Sequence, residues 1–459
     1  MISVPRFLIA AAHKSAGKTT ISTGLARALS DRGLRVQTFK KGPDYIDPMW
    51  HDVATGRPSY NLDFNTQSHD EITDMVATRS QWSDVSLIEA NKGLYDGVAP
   101  DGSDSNAALA KLLDVPVILV IDTVGMTRGI APLLVGYRQF DPDVKIAGVI
   151  LNKVGGPRHE AKLRRAVKDY TDIPVLGCVM RTRGLEIGER HLGLTTPRET
   201  GVQDDLMGRF GSVVGDAVDL DAVLSIARSA PDMPEPSAAP PDADTADLRI
   251  GIAMDTAFGF YYADDLEAFR RAGAELVPLD LIEDETLPEL DGLFIGGGFP
   301  EARMHELAAN ETMRRQIHAA IEGGLSVYAE CGGLMYLCKS IEWQGERAGM
   351  VGAIDAEVLM HRRPQGRGHI VLQADSHPWL TKGSTIKAHE FHYASLENLS
   401  GDTHFATEVR RGFGIDGAHD MIVKHNLVAG FCHMRQTGAL DWVDQFVSFV
   451  RTNKKPRQN

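Results

Sequence analysis

The sequence predicts an α/β protein built of two doubly wound domains. Three observations carry that prediction. Short apolar runs alternate with helical patterns through the first half, and the pattern restarts in the second. A phosphate-cradling loop stands between the first strand and the first helix. A stretch rich in Pro and Ala at 229–248 parts the 459 residues almost evenly, leaving 1–228 and 249–459 as the two domains.

The first strand covers residues 7–11. Ala12-His13-Lys14-Ser15-Ala16-Gly17-Lys18-Thr19-Thr20 follows, with a helical pattern through Leu29. This is G-x-x-x-x-G-K-[ST] with Ala12 in the place of the first glycine. Backbone amides and the helix N-terminus cradle phosphates, Lys18 reaches the β and γ oxygens, and the Thr19 hydroxyl binds Mg²⁺. Lys14, Gly17, Lys18, Thr19 and Thr20 are therefore ATP-binding candidates. A Gly/Ser turn without nucleotide is the plain alternative, and the strand–loop–helix context argues against it.

The second strand, 35–39, leads into Lys40-Lys41-Gly42-Pro43-Asp44-Tyr45-Ile46-Asp47-Pro48. Asp44 and Asp47, on a Pro-stiffened loop past a strand end, suit metal and substrate binding. Gly-Pro-Asp is also common turn chemistry, so this loop alone favours a solvated turn. The strand at 85–90 puts Glu89 in the Walker B position, able to hold Mg²⁺ directly or through water. Further core strands are predicted at 115–122, 146–153 and 174–177. Asn152 and Lys153 end the second of these, where such proteins often read the base, and join the ATP-binding candidates. The segment 189–194, with Arg190 and His191, is a candidate substrate loop. In a doubly wound sheet ligands collect at the strand C-termini, where all these motifs fall.

The second half restarts with a strand at 249–254. Residues 291–300 read as a strand followed by the turn Gly296-Gly297-Gly298. Its central stretch is Tyr328-Ala329-Glu330-Cys331-Gly332-Gly333, a strand end running into a helix start. A cysteine on that turn sits at a helix N-terminus, where the dipole and free N–H groups favour the thiolate. The amides of Gly298 and Gly332 could form an oxyanion hole beside it. A buried structural cysteine is the plain alternative. The upstream glycine turn and His433, at the end of the apolar run 427–433, favour the nucleophile. His433 is one of sixteen histidines and is singled out as candidate base by that position.

Composition excludes several classes. The net charge of −14 argues against non-specific nucleic-acid binding, so an acidic ligand would need a local basic pocket. The four cysteines Cys178, Cys331, Cys338 and Cys432 form no C-x-x-C pair. That opposes a zinc site or disulfide framework and fits a reducing cytoplasm. There is no cleavable signal and no 18-residue apolar run, so neither secretion nor a membrane segment is expected.

Taken together, the motifs resemble a known family. Gly296-Gly297-Gly298, Ala329-Glu330-Cys331-Gly332-Gly333 and His433 resemble a class I glutamine amidotransferase domain, and the first half resembles the dethiobiotin-synthetase-like ATPase domain. The two in this order resemble the cobyrinic or hydrogenobyrinic acid a,c-diamide synthases. The most specific matches are 41–48, 93–97, 189–194, 257–262 and the segment His389-Glu390-Phe391-His392-Tyr393. The resemblance implies that Cys331 attacks glutamine, His433 shuttles the proton, and ammonia passes through an internal channel. It also implies that ATP phosphorylates a peripheral carboxylate of a tetrapyrrole, and that ammonia then displaces phosphate. Lys18 and Thr19 would hold the ATP phosphates and magnesium, with Asp44 and Glu89 as further metal ligands. Tyr45, Asp47, Tyr95 and Asp96 would lie near the acceptor and the γ-phosphate. A homodimer is a further implication.

Some positions depart from the family pattern. A triad amidotransferase usually carries Glu two residues after its histidine, where this chain has Arg435. The resemblance accommodates that loss and leaves the group that orients His433 unnamed. His13-Lys14 stands where relatives carry small residues, and Lys92 adds a positive charge near the acceptor site. The segments 413–417 and 432–435 resemble more closely relatives that amidate sirohaem or sirohydrochlorin. A corrin is thus the first acceptor expected and a sirohaem-type ring the second. The rivals of another class are a P-loop ATPase switch and a scaffold with an inactive amidotransferase domain. The switch would leave the second half unexplained, and the lysine-glycine-glycine loop of such proteins is absent here, while intact Cys331 and His433 oppose the scaffold.

Overall fold

The computed structural model describes residues 1–182, 188–190, 193–200, 203–237, 243 and 245–455, and all that follows concerns those residues. They form two compact units, Met1–Ala238 and Ala239–Asn459.

The first unit runs β1 (Arg6–Ala11), α1 (Lys18–Asp31), β2 (Val36–Lys41), α2 (Ile46–Thr55), β3 (Tyr60–Leu62), α3 (His69–Ser80), β4 (Val85–Glu89), α4 (Asn106–Leu112) and β5 (Val117–Asp122). It continues with α5 (Ile130–Phe140), β6 (Ile146–Val154), α6 (Pro157–Tyr170), β7 (Val175–Met180), the short pair β8 (Glu189–Arg190) and β9 (Gly193–Leu194), and α7 (Pro197–Thr200), α8 (Gln203–Ala217) and α9 (Leu220–Arg228). Seven strands make one parallel sheet in the order β3-β2-β4-β1-β5-β6-β7. Every residue of β1, β2 and β4 is buried, because helices cover both faces of a parallel sheet. The order reverses at β1, so the crevice beyond its C-terminal end is the natural ligand position.

The proline-rich stretch is not all loose chain. Met233 is buried, and its backbone pairs with Ile2 in both directions at 2.8 and 2.9 Å. The Arg6 guanidinium, 1% exposed, donates to the carbonyls of Pro231 at 2.7 Å, Leu113 at 2.8 and 3.1 Å and Val4 at 3.0 Å. The first residues of this segment are thus fastened to the first unit, although they show no apolar period.

The second unit runs β10 (Leu248–Ala253), β11 (Phe258–Phe260), α10 (Ala263–Arg271), β12 (Ala274–Leu279), β13 (Gly292–Ile295), β14 (Gly297–Gly298), α11 (Met304–Ala309), α12 (Glu311–Glu322), β15 (Ser326–Glu330) and α13 (Gly332–Leu337). Then come β16 (Ser340–Trp343), β17 (Glu346–Gly349), β18 (Glu357–Met360), β19 (Gly366–Ala374), β20 (Thr385–His392), β21 (Ala394–Glu397), β22 (His404–Arg411), β23 (His419–Lys424), β24 (Leu427–Gly430) and α14 (Trp442–Asn453). The main sheet has the order β12-β10-β13-β15-β24-β23-β22-β19-β20. Its first five strands are parallel and the rest antiparallel. That antiparallel extension is not foreseen in the sequence, where no strand is predicted between 340 and 424. Its strands keep one face partly solvated, so β19 shows a mixed burial pattern rather than a continuous apolar run. Phe294 and Tyr328 stack at 5.3 Å in an aromatic core with Trp442 and Phe446, which fixes β13 against β15. Two local readings change. The Gly-rich turn contains the strand β14, paired with β11, and the run ending at His433 is strand only as far as Gly430. No helix among the described residues is long and apolar enough to cross a membrane.

Arg6→Ala leaves the buried carbonyls of Leu113 and Pro231 without donors, at about 1–3 kcal/mol each. The variant should lose about 3 kcal/mol of stability, read as a lower denaturant midpoint. An unchanged midpoint would refute this account of the anchor.

Candidate active sites

The first site starts from the loop between β1 and α1. Gly17 caps α1 with φ 86°, and a Cβ there would stand 2.2 Å from Asn152 Nδ2. Only glycine accommodates both demands. Asn152 Nδ2 donates to the Ala16 carbonyl at 2.9 Å, and Lys153 Nζ to the Ser15 carbonyl at 3.2 Å and to Asp122 Oδ2 at 2.8 Å. The sequence predicts these two residues near a base. The structure shows their polar ends shaping the loop. Tyr137 donates its hydroxyl to the Ala12 carbonyl at 2.6 Å. Lys18 is buried and donates to the Lys92 carbonyl at 2.6 Å. Burial first, and then the neighbouring Lys40 charge, lower its pKa to about 8. Thr20 lies in the first turn of α1, and Lys14 is exposed on the loop.

Beyond Lys18 a set of buried charges converges from β2, α2 and β4. Lys40 is 3% exposed and Glu89 0%. Lys40 Nζ donates to Glu89 Oε1 at 3.0 Å and to Asp47 Oδ2, and lies 3.9 Å from Asp44 Oδ2. The Thr19 hydroxyl reaches Glu89 Oε1 at 3.0 Å and Asp47 Oδ2 at 3.2 Å. His51, one turn beyond Asp47 on α2, places Nε2 2.8 Å from Glu89 Oε2. Burial alone would raise the Glu89 pKa, but the Lys40 charge and the His51 hydrogen bond outweigh it and hold Glu89 well below the usual range. Asp47 moves the other way. Burial, then the Asp44 charge, push it up to about 7. Asp44 Oδ1 accepts from the first two amides of α2, those of Ile46 and Asp47, at 3.0 and 3.1 Å.

The remaining first-half candidates separate. Tyr45 is buried at the start of α2 beside Asp44. Lys92 has φ 36° and turns its carbonyl to Lys18, with its side chain exposed. Asp96 Oδ2 accepts from the Gly93 amide at 3.1 Å. Tyr95 donates to the Tyr137 carbonyl at 2.5 Å and packs on Phe140, so it is tied to α5. Arg190 is described only as backbone of β8, and His191 lies outside the described residues.

The second site sits where β15 and β24 end side by side. Cys331 has φ 49° and ψ −100°, a strained turn costing about 1–3 kcal/mol, and is 7% exposed. Gly332 opens α13 behind it. A Cβ on Gly332 would stand 3.0 Å from the Gly298 nitrogen, so β14 runs directly alongside the turn. His433, three residues past β24, is 3% exposed. A Cβ on Gly297 would come 2.6 Å from His433 Cε1, so this glycine admits the imidazole. Glu330 Oε2 lies 3.3 Å from His433 Nδ1. Burial opposes a charged His433, but its hydrogen bonds to Cys331 and Glu330 prevail and raise its pKa to about 10. His389 stacks on the same ring at 4.8 Å and 12°. Burial and the neighbouring His433 charge keep His389 well below the usual histidine range. Arg435 is engaged elsewhere, with Asp264 at 3.0 and 3.1 Å and over the Tyr262 ring.

Sequence reasoning missed Lys40, His51, Glu330 and His389 as site residues. Two of them carried a local signal. His51 is four residues after Asp47 on one helix face, and Glu330 directly precedes the candidate nucleophile.

The family of CobQ/CobB/MinD/ParA nucleotide-binding domains matches residues 7–194, and that of CobB/CobQ-like glutamine amidotransferase domains matches 249–438. The chain is 42% identical over 455 residues to a cobyrinate a,c-diamide synthase of Magnetococcus marinus, covering 98% of this chain and 97% of that one. It is 39% identical to one of Methanosarcina acetivorans over 99% and 98% of the two chains, and 40% identical to one of Archaeoglobus fulgidus over 94% of each. With both halves matched and the likeness running end to end, the chain belongs to the cobyrinate a,c-diamide synthase family.

Proposed function

We propose that this chain amidates the a and c acetate side chains of a corrin, using ammonia taken from glutamine and ATP to activate each carboxylate. The observation that carries the reading is the Cys331–His433 pair, held in a strained elbow beside a glycine strand, in a chain that also bears the Lys18 phosphate loop.

At the glutamine site His433 takes the Cys331 proton, and the sulfur attacks the side-chain amide carbon. The amides of Gly298 and Gly332 receive the oxyanion. His433 returns the proton to the nitrogen, which leaves as ammonia, and water then releases glutamate from the thioester. At the ATP site a carboxylate oxygen of the acceptor attacks the γ-phosphorus and ADP departs. Ammonia then attacks the acyl carbon and phosphate leaves, so water must be kept away from that intermediate. Lys18 offsets the charge of the transferring phosphoryl group. Asp47, held near neutrality by burial, and Tyr45 and Asp96 are assigned to the acceptor side.

The oxygen set of Thr19, Asp47 and Glu89 fits Mg²⁺, a hard cation that takes one or two protein oxygens and completes its shell from phosphate and water. Among the described residues no group of three or more His, Cys, Asp and Glu is arranged to hold a metal. We assign Thr19 and Glu89 as its protein ligands, with Asp44 at the edge of the cluster. When bound, Mg²⁺ would neutralise phosphate charge. Lys40, already between the carboxylates, keeps the set folded without it.

Mass spectrometry on hydrogenobyrinic acid, cobyrinic acid, sirohydrochlorin and sirohaem tests the acceptor. Each amidation lowers the mass by about one unit. Two such steps are expected on a corrin with ATP and glutamine. A change confined to sirohaem-type rings would move the acceptor assignment, and no change on any ring would sink the amidation reading. Cys331→Ala should abolish the glutamine-supported reaction and retain the ammonia-supported one. Lys18→Met should lower both by at least about 100-fold. Chelating divalent cations should stop the ammonia-supported reaction while Cys331 still reacts with a glutamine-like electrophile. Loss of that labelling would contradict the placement of Mg²⁺ at the ATP site alone.

A further inference from the structure

Family resemblance leaves His433 without an orienting acid, because Arg435 stands where a triad would carry glutamate. The structure also removes Arg435 from consideration, since it is fully buried against Asp264. A histidine acting as base must still be held in one tautomer and one orientation.

We propose that Glu330 is the positioning carboxylate of His433, so that acid and nucleophile are adjacent in sequence rather than on separate segments. The proposal rests on reading Cys331 and His433 as the glutaminase pair. Three observations support it. Glu330 is 3% exposed and its Oε2 lies 3.3 Å from His433 Nδ1. Its Oε1 accepts from the Tyr328 hydroxyl at 2.8 Å and the Met434 amide at 2.9 Å, so the carboxylate is fixed with Oε2 toward the ring. The Met434 amide follows His433 directly, so the same acid also fixes the backbone that carries the base. Strand register explains the placement. Glu330 pairs with Gly430 across the parallel β15–β24 ladder, which brings the end of one strand beside the loop leaving the other. The opposite side of the ring faces Gly297, where a Cβ would lie 3.4 Å from His433 Nε2. Nε2 is thus left toward β14, where the oxyanion donor Gly298 lies.

In this arrangement Glu330 acts by position and exchanges no proton. It holds Nδ1–H, and the Nε2 lone pair takes the proton of Cys331 as the carbon–sulfur bond forms. That proton then goes to the departing nitrogen as the carbon–nitrogen bond breaks. The other groups around the ring do not compete for this role. His389 stacks on it and is held neutral by burial. Tyr328, Asp265 and Cys432 lie near Glu330, and burial pushes the pKa of each upward, so each keeps its proton more readily.

The test is glutamate release from glutamine by the full chain with ATP, Mg²⁺ and acceptor present, across pH, for Glu330→Gln and Glu330→Asp. Glu330→Gln should lower kcat by about 10²- to 10⁴-fold with KM within threefold, as expected when a base loses its orienting acid. The acid limb, where protonation removes the His433 lone pair, should move to lower pH, because a raised histidine pKa falls when its carboxylate is neutralised. Glu330→Asp should regain at least about tenfold over Glu330→Gln and restore the limb. Ammonia-supported amidation should be unchanged in both. A Glu330→Gln protein within threefold of wild type, or a fall in kcat with the limb unmoved, would overturn the proposal. Should Glu330→Gln melt at a markedly lower temperature, Tyr328→Phe decides. That variant keeps the charge and removes one donor that aims it, so an intermediate loss is expected, and unchanged kcat would overturn the proposal. Glutamate release at wild-type rate by Cys331→Ala would instead refute the glutaminase pair itself.

Discussion

Parallel strands all end on the same edge of a sheet, and that constraint places the chemistry in both units. In the first, the C-terminal ends of β1, β2, β4 and β6 deliver the phosphate loop, Lys40, Glu89 and Asn152 to one crevice. In the second, β13, β15 and β24 deliver the glycine strand, Cys331 and His433. Each strand is held by burial on both faces, and its functional residue lies near its end or within a few residues past it. A side chain there is positioned by the hydrogen-bond register of the sheet yet is free to face a ligand.

The two sites handle unfavourable energy in different ways. Around Glu89 the difficulty is electrostatic. A fully buried carboxylate costs several kcal/mol to desolvate, and Lys40, His51 and Thr19 offset that cost together. The cluster therefore holds its geometry before any ligand arrives. Around Cys331 the difficulty is conformational. The positive φ places the sulfur at the tip of the elbow, and the stacked Phe294–Tyr328 core beneath supports the strand that enters it. Tyr328 serves both needs, since its ring packs in that core and its hydroxyl bonds Glu330.

Much of this was legible in the sequence wherever the signal was local. The loop from Ala12 to Thr20, the strand ending at Glu89 and the Cys331 turn are short motifs whose context lies within a few residues. The antiparallel extension of the second sheet was not legible, because half-solvated strands of mixed polarity lack the apolar runs that mark β1 or β4. Asn152 and Lys153 illustrate another limit. Their place at a strand end was readable, but not their hydrogen bonds to the carbonyls of the phosphate loop. The stacking of His389 on His433 was equally hidden, since it depends on β20 returning beside the end of β24. Glu330 adjoins Cys331 in sequence, yet its direction is set by Tyr328 and by Met434, 104 residues away.

The hold of Asn152 on Ala16 spans 136 residues, and that of Lys153 on Ser15 spans 138. Such contacts form only after their long intervening chain has been closed, which makes them late events in folding. The phosphate loop is therefore the local product of a nearly finished sheet and not an autonomous motif. A nascent or partly folded first unit would contain the whole loop sequence and still lack its shape. Competence to hold nucleotide would then arrive together with the docking of β6, so an incompletely folded chain would be unable to trap ATP.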